Sequence, residues 1–317
     1  MWPKLTRNEL IFEKENNRFC TICHSHFVDN ETIAFGYDKN ENMQMACQNC
    51  IQQIDVKVKY LHRNPPYKTP DNNSSLWRFM DLAKFISLIK EKSLYFARAD
   101  QFDDPFECAI GLKEKKPEYD AFYKEFLMQA IATAPGDINN FKTPESIKKE
   151  ADRLFEELSI HNNLHRSSIY MNCWHKNEIE SEAMWKLYVK DLTQGIAIRT
   201  TYGDLYKALN RDPSIDIGMV NYIDYKTQFV YMNDVHWYKR LSFEHEHEVR
   251  AVMYDYVSSK KNSGILYPID LNTLIKSVYV SPMASEWFVD IVKDLMEKYH
   301  LKKDVVESSL NAEVFYG

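Results

Sequence analysis

The sequence LWRFMDLAKFISLIKEKSLYFARADQFDDPFE, residues 76–107, predicts a strand, a helix and a second strand in immediate succession. The runs LWRF and LYFA are short stretches of apolar and aromatic side chains, which strands favour. Between them, residues 82–92 place apolar side chains three and four positions apart, and this spacing marks one face of a helix. This order begins an α+β domain, and we expect Arg78 and Arg98 at the same end of its sheet.

Patterns further along the chain extend the same fold class. Residues 114–164 are charged and helical in pattern with proline breakers, so they predict a helical insertion. Further elements are predicted as follows: strands at 168–175, 195–200, within 216–224, at 275–280 and at 305–307, and helices at 184–188 and 286–299. Residues 76–317 are therefore expected to form an α+β domain with a mixed sheet core and a helical insertion at about 114–164.

Two pairs of cysteines precede this domain, Cys20 with Cys23 and Cys47 with Cys50. Each C-x2-C turn brings two thiolates to one ion, and two such turns complete the tetrahedral set that Zn²⁺ prefers. Disulfides are the alternative, but a reducing compartment disfavours them. Four thiolates leave no open coordination position, so we expect a structural zinc ion and not a catalytic one.

The segment between the cysteine pairs predicts a hairpin. Residues 32–37 favour a strand, and residues 43–46 lead into the second pair, which gives a zinc-ribbon or treble-clef-like module. Three prolines and several turn-forming residues mark residues 64–75 as a linker. The predicted organisation is therefore a zinc module at 1–63, this linker, and the α+β domain.

Basic side chains follow the second cysteine pair. Lys57, Lys59, His62 and Arg63 surround Tyr60, and a basic surface with an interleaved aromatic residue is typical of nucleic-acid binding. The alternative is the end of a short solvated helix. Nucleic acid or a protein is therefore the expected partner of the module.

Glycine is scarce, with 8 residues among 317, where about 7% is usual. The sequence contains no G-x-G-x-x-G, no G-x-x-x-x-G-K-[ST] and no G-x-S-x-G motif. These absences argue against Rossmann dehydrogenases, protein kinases, P-loop NTPases and α/β-hydrolases. Any nucleotide would therefore have to be held by side chains and not by a glycine-rich loop.

The formal net charge is −6, from 40 basic and 46 acidic residues, which argues against nucleic-acid binding over the whole surface. No apolar run reaches the roughly 18 residues of a membrane-spanning helix. The N-terminus carries charges where a signal peptide would have an apolar core. We therefore expect a cytoplasmic protein that does not enter a membrane.

Acidic residues are concentrated in DQFDDPFE, residues 100–107, and in KRLSFEHEHEVRAVM, residues 239–253. If the second segment is extended, alternation places four charged residues on one side: Glu244, Glu246, Glu248 and Arg250. Carboxylates so close together need a cation, a metal ion or a hydrogen-bond donor. His245 and His247 alternate with the glutamates, which also permits a metal site.

Four motifs follow one another between residues 76 and 250: LWRF (76–79), FDDPFE (102–107), MWKLY (184–188) and EHEVR (246–250). Together they resemble the bacterial family called domain of unknown function 2971, whose signatures are an RY strand, FNDPFE, MWxxY and ExExR. The resemblance covers about residues 76–310. Phe79 and Asp103 stand where that family usually has Tyr and Asn, and the cysteine pairs are not part of its pattern.

The order of elements in this family is similar to that of ADP-ribosyltransferases, and this similarity implies an NAD-consuming reaction. Arg78 would bind the NAD diphosphate, and Tyr188 or Trp185 would stack on the nicotinamide. Glu248 would bind the ribose and stabilise its positive charge, and Glu246 would activate the acceptor. The residues that would contact NAD in such a site are Arg78, Arg98, Trp185, Tyr188, Asp104 and Arg250.

Three functions are therefore open. The first is an ADP-ribosyltransferase-like effector, in anti-phage defence or a toxin system, whose zinc module recognises the target. The second is a metal-dependent nuclease, in which a carboxylate cluster holds Mg²⁺ beside Lys239. The acidic residues of that cluster would be Asp103, Asp104, Glu107, Glu246 and Glu248. The third is a non-enzymatic zinc-containing sensor or adaptor, in which the same charges form buried structural ion pairs.

Overall fold

The computed structural model describes residues 19–28, 31–40, 42–56, 60–64, 67–133, 143–212, 214–256, 262–312 and 314–316. The chain divides into two compact units. The described parts of Met1–Lys68, Ile110–Leu164 and Asp224–Val235 form the first unit, and those of Thr69–Ala109, His165–Ile223 and His236–Gly317 form the second. The domain boundaries inferred from the sequence stay a prediction.

The strands of the described residues are β1 (Glu31–Tyr37), β2 (Met43–Ala46), β3 (Tyr60–Asn64), β4 (Ser75–Asp81), β5 (Ser93–Arg98), β6 (Ile169–Lys176), β7 (Gly195–Thr201), β8 (Asp216–Met219), β9 (Asn221–Ile223), β10 (Tyr238–Arg240), β11 (Glu248–Tyr254), β12 (Gly264–Pro268), β13 (Ser277–Val280) and β14 (Asp304–Glu307). The helices are α1 (Leu82–Glu91), α2 (Lys116–Thr133), α3 (Pro144–His165), α4 (Glu182–Tyr188), α5 (Tyr202–Ala208), α6 (Leu271–Leu274) and α7 (Glu286–Lys298).

In the first unit, β1, β2 and β3 form an antiparallel sheet in the order β2-β1-β3. The predicted hairpin between the cysteine pairs is therefore confirmed. In the described residues after this hairpin, the short 3-10 helix Gln48–Cys50 and a turn precede β3. A treble clef has an α-helix at that position, so the zinc-ribbon alternative fits the order of elements better.

Helices α2 and α3 lie within the segment that the sequence predicts as helical. Tyr119, Leu127 and Ile131 of α2 belong to one hydrophobic cluster with Ala151 and Phe155 of α3. On each helix these residues are separated by multiples of four, so they lie on one face. The two helices thus share a small core of their own.

Nine of the described strands form the sheet of the second unit. Its main path runs β12-β5-β6-β4-β7-β13-β14, and β11 pairs with both β6 and β8. The pairs are antiparallel except for β13 with β14, which is parallel. The predicted α+β class with a mixed sheet is therefore confirmed.

Strand alternation gives this sheet two different faces. Leu76 and Met80 of β4 belong to the main hydrophobic core, to which α1, α5 and α7 contribute buried residues. Trp77 and Phe79 belong instead to a second cluster, where α4 contributes the fully buried Trp185. The charged residues of β11 alternate with its core residues and lie on this second side.

The sheet branches at β6. Strand β11 occupies one edge of β6, so β4 and β5 share the other edge: β4 reaches His175, whereas β5 pairs with Tyr170. The carbonyl of Cys173 lies between these two pairings, and the Arg78 side chain donates to it at 2.9 Å. The prediction that Arg78 and Arg98 share one end of the sheet is wrong, because their strands pair with opposite ends of β6.

The segment before β11 also differs from its prediction. Residues Leu241–Glu246 form a 3-10 helix, and His247 has a left-handed backbone with φ of 39°. Glu244 is therefore exposed on a turn, and only Glu248 and Arg250 alternate along one strand face. The prediction that four charged residues lie on one side of an extended segment is wrong, because this turn precedes the strand and only two of them belong to it.

Candidate functional site

Four cysteine sulfurs meet in the first unit. The Sγ atoms of Cys20, Cys23, Cys47 and Cys50 all lie within 4.8 Å of one another. The Sγ atoms of Cys23 and Cys47 are 3.7 Å apart, and the backbone N–H of Cys23 contacts the Cys20 Sγ at 3.5 Å. The four cysteines predicted as a metal site are therefore positioned as one.

The chemistry of this donor set fits a closed metal site. Cys20, Cys47 and Cys50 are buried, and burial raises the pKa of Cys50 to about 12. Hydrogen bonds with Ser25 lower the pKa of Cys23 to about 6, so one sulfur already favours the thiolate. Bound metal would deprotonate the others. Four sulfur ligands complete a tetrahedron, which leaves no position for a substrate.

A buried charge network occupies the second unit, with the fully buried Arg250 at its centre. Its guanidinium donates to both oxygens of Glu107, at 2.6 and 3.0 Å, and to both oxygens of Glu248, at 2.7 and 3.2 Å. It also donates to the carbonyl of His236 at 2.7 Å. This paired fork geometry is the arrangement that allows an arginine and two carboxylates to be buried together.

Lys239 extends the network to a third carboxylate. Its Nζ contacts the Glu248 carboxylate at 3.0 Å and also donates to Glu246. Burial alone would raise the pKa of Glu248, but Arg250 and Lys239 outweigh it and lower that pKa to about 2. Three carboxylates thus face two cations, and the network carries one net negative charge.

The depressed pKa of Glu248 predicts an acid-sensitive fold. Because the folded-state pKa lies below the unfolded value of 4.5, the stabilisation is complete above pH 4.5 and is lost as the pH falls toward 2. Urea unfolding of the wild type and of Glu248→Gln at several pH values measures this pH-dependent stabilisation. We expect the gap between their free energies of unfolding to narrow by about 2 kcal/mol from about pH 7 to about pH 3. A gap that does not change with pH would contradict this.

Tyr188 is the exposed member of the network. The residue is 44% exposed, and its hydroxyl donates to the Glu246 Oε1 at 2.8 Å. Burial of the hydroxyl and the neighbouring Glu246 carboxylate raise the pKa of Tyr188, so the phenol keeps its proton and acts as the donor. Tyr188 is the last residue of α4, which Trp185 anchors in the core. A rigid helix end therefore presents an aromatic ring beside the buried carboxylates.

Arg78 is a partly buried cation of β4 that alternates with Trp77 and Phe79 and so shares the face of Leu76 and Met80. Its guanidinium donates to the Cys173 carbonyl and lies 5.8 Å from the centroid of Trp174. Burial lowers the pKa of Arg78, and the neighbouring Cys173 and Tyr188 oppose that effect. In the part of the chain that the structure describes, no carboxylate forms an ion pair with Arg78. An arginine has five N–H donors, so most of its donor capacity is available to an anion.

His175 lies on the second side of the sheet, with Trp77 and Glu248. It is opposite Glu248 on one neighbouring strand and opposite Trp77 on the other. Its Nδ1 is 2.6 Å from the backbone carbonyl of Glu246. Burial lowers the pKa of His175, the Glu246 carbonyl opposes this, and His247 adds to it. The imidazole is therefore neutral near pH 7.

The remaining residues of the predicted NAD site have other partners. Arg98 pairs with Asp100 at 2.6 Å, and Asp104 pairs with Arg240 at 2.8 Å. Trp185 is fully buried, and its Nε1 is 3.2 Å from a Glu180 oxygen. The structure thus brings together Glu246, Glu248, Tyr188 and Arg250, with Arg78 nearby, and does not bring Arg98, Trp185 or Asp104 into their network.

The carboxylates of the nuclease alternative converge only in part. Glu107, Glu246 and Glu248 share one network, but Lys239 and Arg250 already occupy the space between their oxygens. The other two acids of that alternative, Asp103 and Asp104, do not join them, since Asp103 is exposed and Asp104 pairs with Arg240. Among the residues that the structure describes, only the four cysteines form a group of three or more metal-binding side chains. His245 and His247 belong to no such group.

The basic residues predicted to bind nucleic acid lie partly outside the described residues. Lys57 and Lys59 lie outside the described residues, and β3 is described by its backbone alone. Nucleic-acid binding by this surface stays a prediction.

Sequence reasoning missed Cys173 and His175. Burial raises the pKa of the Cys173 thiol well above the usual range, and the neighbouring Glu248 carboxylate adds to this. A signal was present, because the buried strand β6 carries the polar run Asn172, Cys173 and His175 where a core strand would be apolar. Polar residues inside a buried strand need partners, and such positions are candidates for function.

Comparisons with known proteins add no family. No protein-family model matches the chain, and no curated protein matches its sequence. The resemblance to domain of unknown function 2971 and to ADP-ribosyltransferases therefore stays a prediction. None of the described helices is both long and apolar enough to cross a membrane.

Proposed function

We propose that the second unit is an NAD-consuming, ADP-ribosyltransferase-like catalytic domain. One observation carries the proposal: the hydroxyl of the half-exposed Tyr188 donates to Glu246, whose other oxygen accepts from Lys239. An aromatic surface and a fixed carboxylate thus stand side by side. A nicotinamide can stack on the first while the attached ribose meets the second.

Glu246, and not Glu248, is the carboxylate that faces the substrate in this proposal. Glu248 is held at both oxygens by the buried Arg250 and also by Lys239. Removing it from those contacts would leave buried cations without partners, which is costly. Among the described residues, only the hydroxyl of Tyr188 hydrogen-bonds the Oε1 of Glu246, and Tyr188 is the exposed member of the network. Glu248 would instead keep the network rigid.

The charges of the site suit cleavage of the bond between nicotinamide and ribose. Positive charge develops on the ribose as this bond breaks, and a preorganised negative site stabilises it. The net negative charge of the network supplies that field without any reorganisation. Arg78, which lacks an acidic partner among the described residues, would bind the diphosphate through its remaining donors.

The four-cysteine site would hold a structural Zn²⁺ ion, and the module around it would recognise the target. Nucleic acid and protein are both proposed acceptors. A cytoplasmic effector of anti-phage defence or of a toxin system is the setting that this chemistry suits, because such systems act on host or phage molecules through NAD.

The test is release of nicotinamide from NAD, measured by chromatography with and without nucleic acid or protein acceptors. We expect Glu246→Gln to lower the rate about 100- to 1,000-fold, since an amide carries no negative charge. The Gln side chain can still accept from Tyr188, so the fold should persist. Glu244→Gln is the matched control, because Glu244 is exposed two residues away and should leave the rate unchanged.

Two results would decide against the proposal. No release with any acceptor would favour the non-enzymatic sensor or adaptor, in which the network is purely structural. Cleavage of DNA or RNA that requires Mg²⁺ or Mn²⁺ would favour the nuclease, although Lys239 and Arg250 would then have to move from between the carboxylates.

A further inference from the structure

His175 is a buried histidine with one ring nitrogen satisfied and the other not. The residue is only 7% exposed. Its Nδ1 lies 2.6 Å from the Glu246 carbonyl, whereas no group in the described residues hydrogen-bonds its Nε2. Buried polar atoms without a partner are uncommon in folded proteins and call for an explanation.

The tautomer of His175 follows from this geometry. A carbonyl oxygen can only accept, so the Nδ1 must carry the hydrogen. The imidazole is neutral, and its Nε2 therefore presents a lone pair and no proton. A backbone carbonyl that fixes the ring in this way is the same device that orients histidines used as bases or as metal ligands.

The surroundings of the Nε2 argue against a purely structural histidine. The nearest rings are those of Phe79 and His247, with centroids 6.3 and 6.2 Å from that of His175. Neither forms a hydrogen bond with it. His247 is exposed, whereas the Nε2 of His175 is itself buried. A small donor such as a hydroxyl group would satisfy the lone pair.

The carboxylates nearby are poor competitors for the role of base. Both oxygens of Glu246 accept hydrogen bonds, from Tyr188 and from Lys239. Glu107 and Glu248 are clamped by Arg250, and the pKa of Glu248 is about 2. The Nε2 of His175 has a lone pair that no hydrogen bond from the described residues occupies, whereas the oxygens of these carboxylates already accept hydrogen bonds.

We infer that His175 is a catalytic base whose Nε2 accepts the proton of the hydroxyl group that attacks the ribose. The inference rests on the proposed function and replaces Glu246 as the activator of the acceptor. The acceptor is an alcohol or water: its oxygen forms a bond to the ribose C1′, its proton passes to Nε2, and nicotinamide leaves as a neutral molecule with the electron pair of the broken bond. The proton is then lost to solvent.

The experiment compares nicotinamide release by the wild type, His175→Asn and His175→Ala. Asparagine places an amide N–H where the Nδ1 was, so it keeps the bond to the Glu246 carbonyl and removes only the Nε2. We expect His175→Asn to fold with an unchanged melting temperature and to lose activity about 100- to 10,000-fold, the usual contribution of a general base. Added imidazole should restore part of the activity of His175→Ala, which a structural role would not allow.

The outcomes separate this inference from the proposed function. If the wild type releases nicotinamide and His175→Asn is equally active, His175 is not the base and the proposed function stands. If the wild type releases none, both fail. A second measurement needs no variant: the nitrogen chemical shifts of the His175 ring should report a hydrogen on Nδ1, and a hydrogen on Nε2 would overturn the inference even if both variants unfold.

Discussion

Replacing Arg250 with methionine is expected to lower the free energy of unfolding by about 3–5 kcal/mol. The arginine is completely buried and donates to two buried carboxylates. Methionine removes both sets of hydrogen bonds and leaves Glu107 without a cation in a low-dielectric core. Urea-induced unfolding, followed by tryptophan fluorescence, measures the change.

A matched arginine serves as the control. Arg153 pairs with Glu150 and Glu157 at similar distances, but its side chain is 53% exposed. Arg153→Met is therefore expected to change the free energy of unfolding by less than about 1 kcal/mol. In the double variant Arg250→Met with Glu107→Met, part of the lost stability should return, because the unpaired carboxylate is removed as well. Equal losses of unfolding free energy for the two arginine variants would show that burial of the Arg250 network does not determine its contribution to stability.

Removal of the metal should have the second large effect. The purified protein is expected to contain zinc in a molar amount equal to the chain, and Cys47→Ser should lose it, because a hydroxyl is a poor zinc ligand. Structural zinc contributes roughly 10–16 kcal/mol to the folding of small zinc modules. Chelation should therefore unfold the cysteine-bearing module and expose it to trypsin. Elemental analysis and the pattern of cleavage measure the two effects.

The matched control for the metal site is Cys108→Ala. Cys108 is buried but lies outside the four-cysteine group, so this variant should keep its zinc. A wild-type protein without zinc, or a Cys47→Ser variant that keeps a full complement, would contradict the zinc assignment. The loss of zinc is also expected to leave nicotinamide release from NAD alone unchanged, since the proposed catalytic residues lie in the second unit.

Local patterns were sufficient to predict much of the fold. The strand, helix and strand of residues 76–107 appear as β4, α1 and β5, because apolar spacing and the left-handed Lys92 at the helix end are local properties of the chain. The cysteine pairs were predicted for a similar reason: each C-x2-C turn is short, and only the meeting of two turns needs a hairpin.

Long-range pairing could not be predicted in the same way. Strands β4 and β5 pair with opposite ends of β6, and no local sequence pattern predicts which end each strand pairs with. The branch point determines the surroundings of Arg78, whose side chain donates to the Cys173 carbonyl between the two pairings. It also separated Arg78 from Arg98, which were expected together.

The sequence alone determined the α+β class, the four-cysteine site and the concentration of acids around Glu246, because these depend on residue type and short spacing. Only the tertiary structure decided which of those acids Arg250 binds and which one Tyr188 binds, since Arg250, Lys239 and Glu107 meet from segments far apart in the chain. It likewise decided that His175 has a fixed tautomer and an unsatisfied Nε2 among the described residues. Charge pairing and burial depend on which residues are close in space, and local sequence patterns predict only which residues are close along the chain.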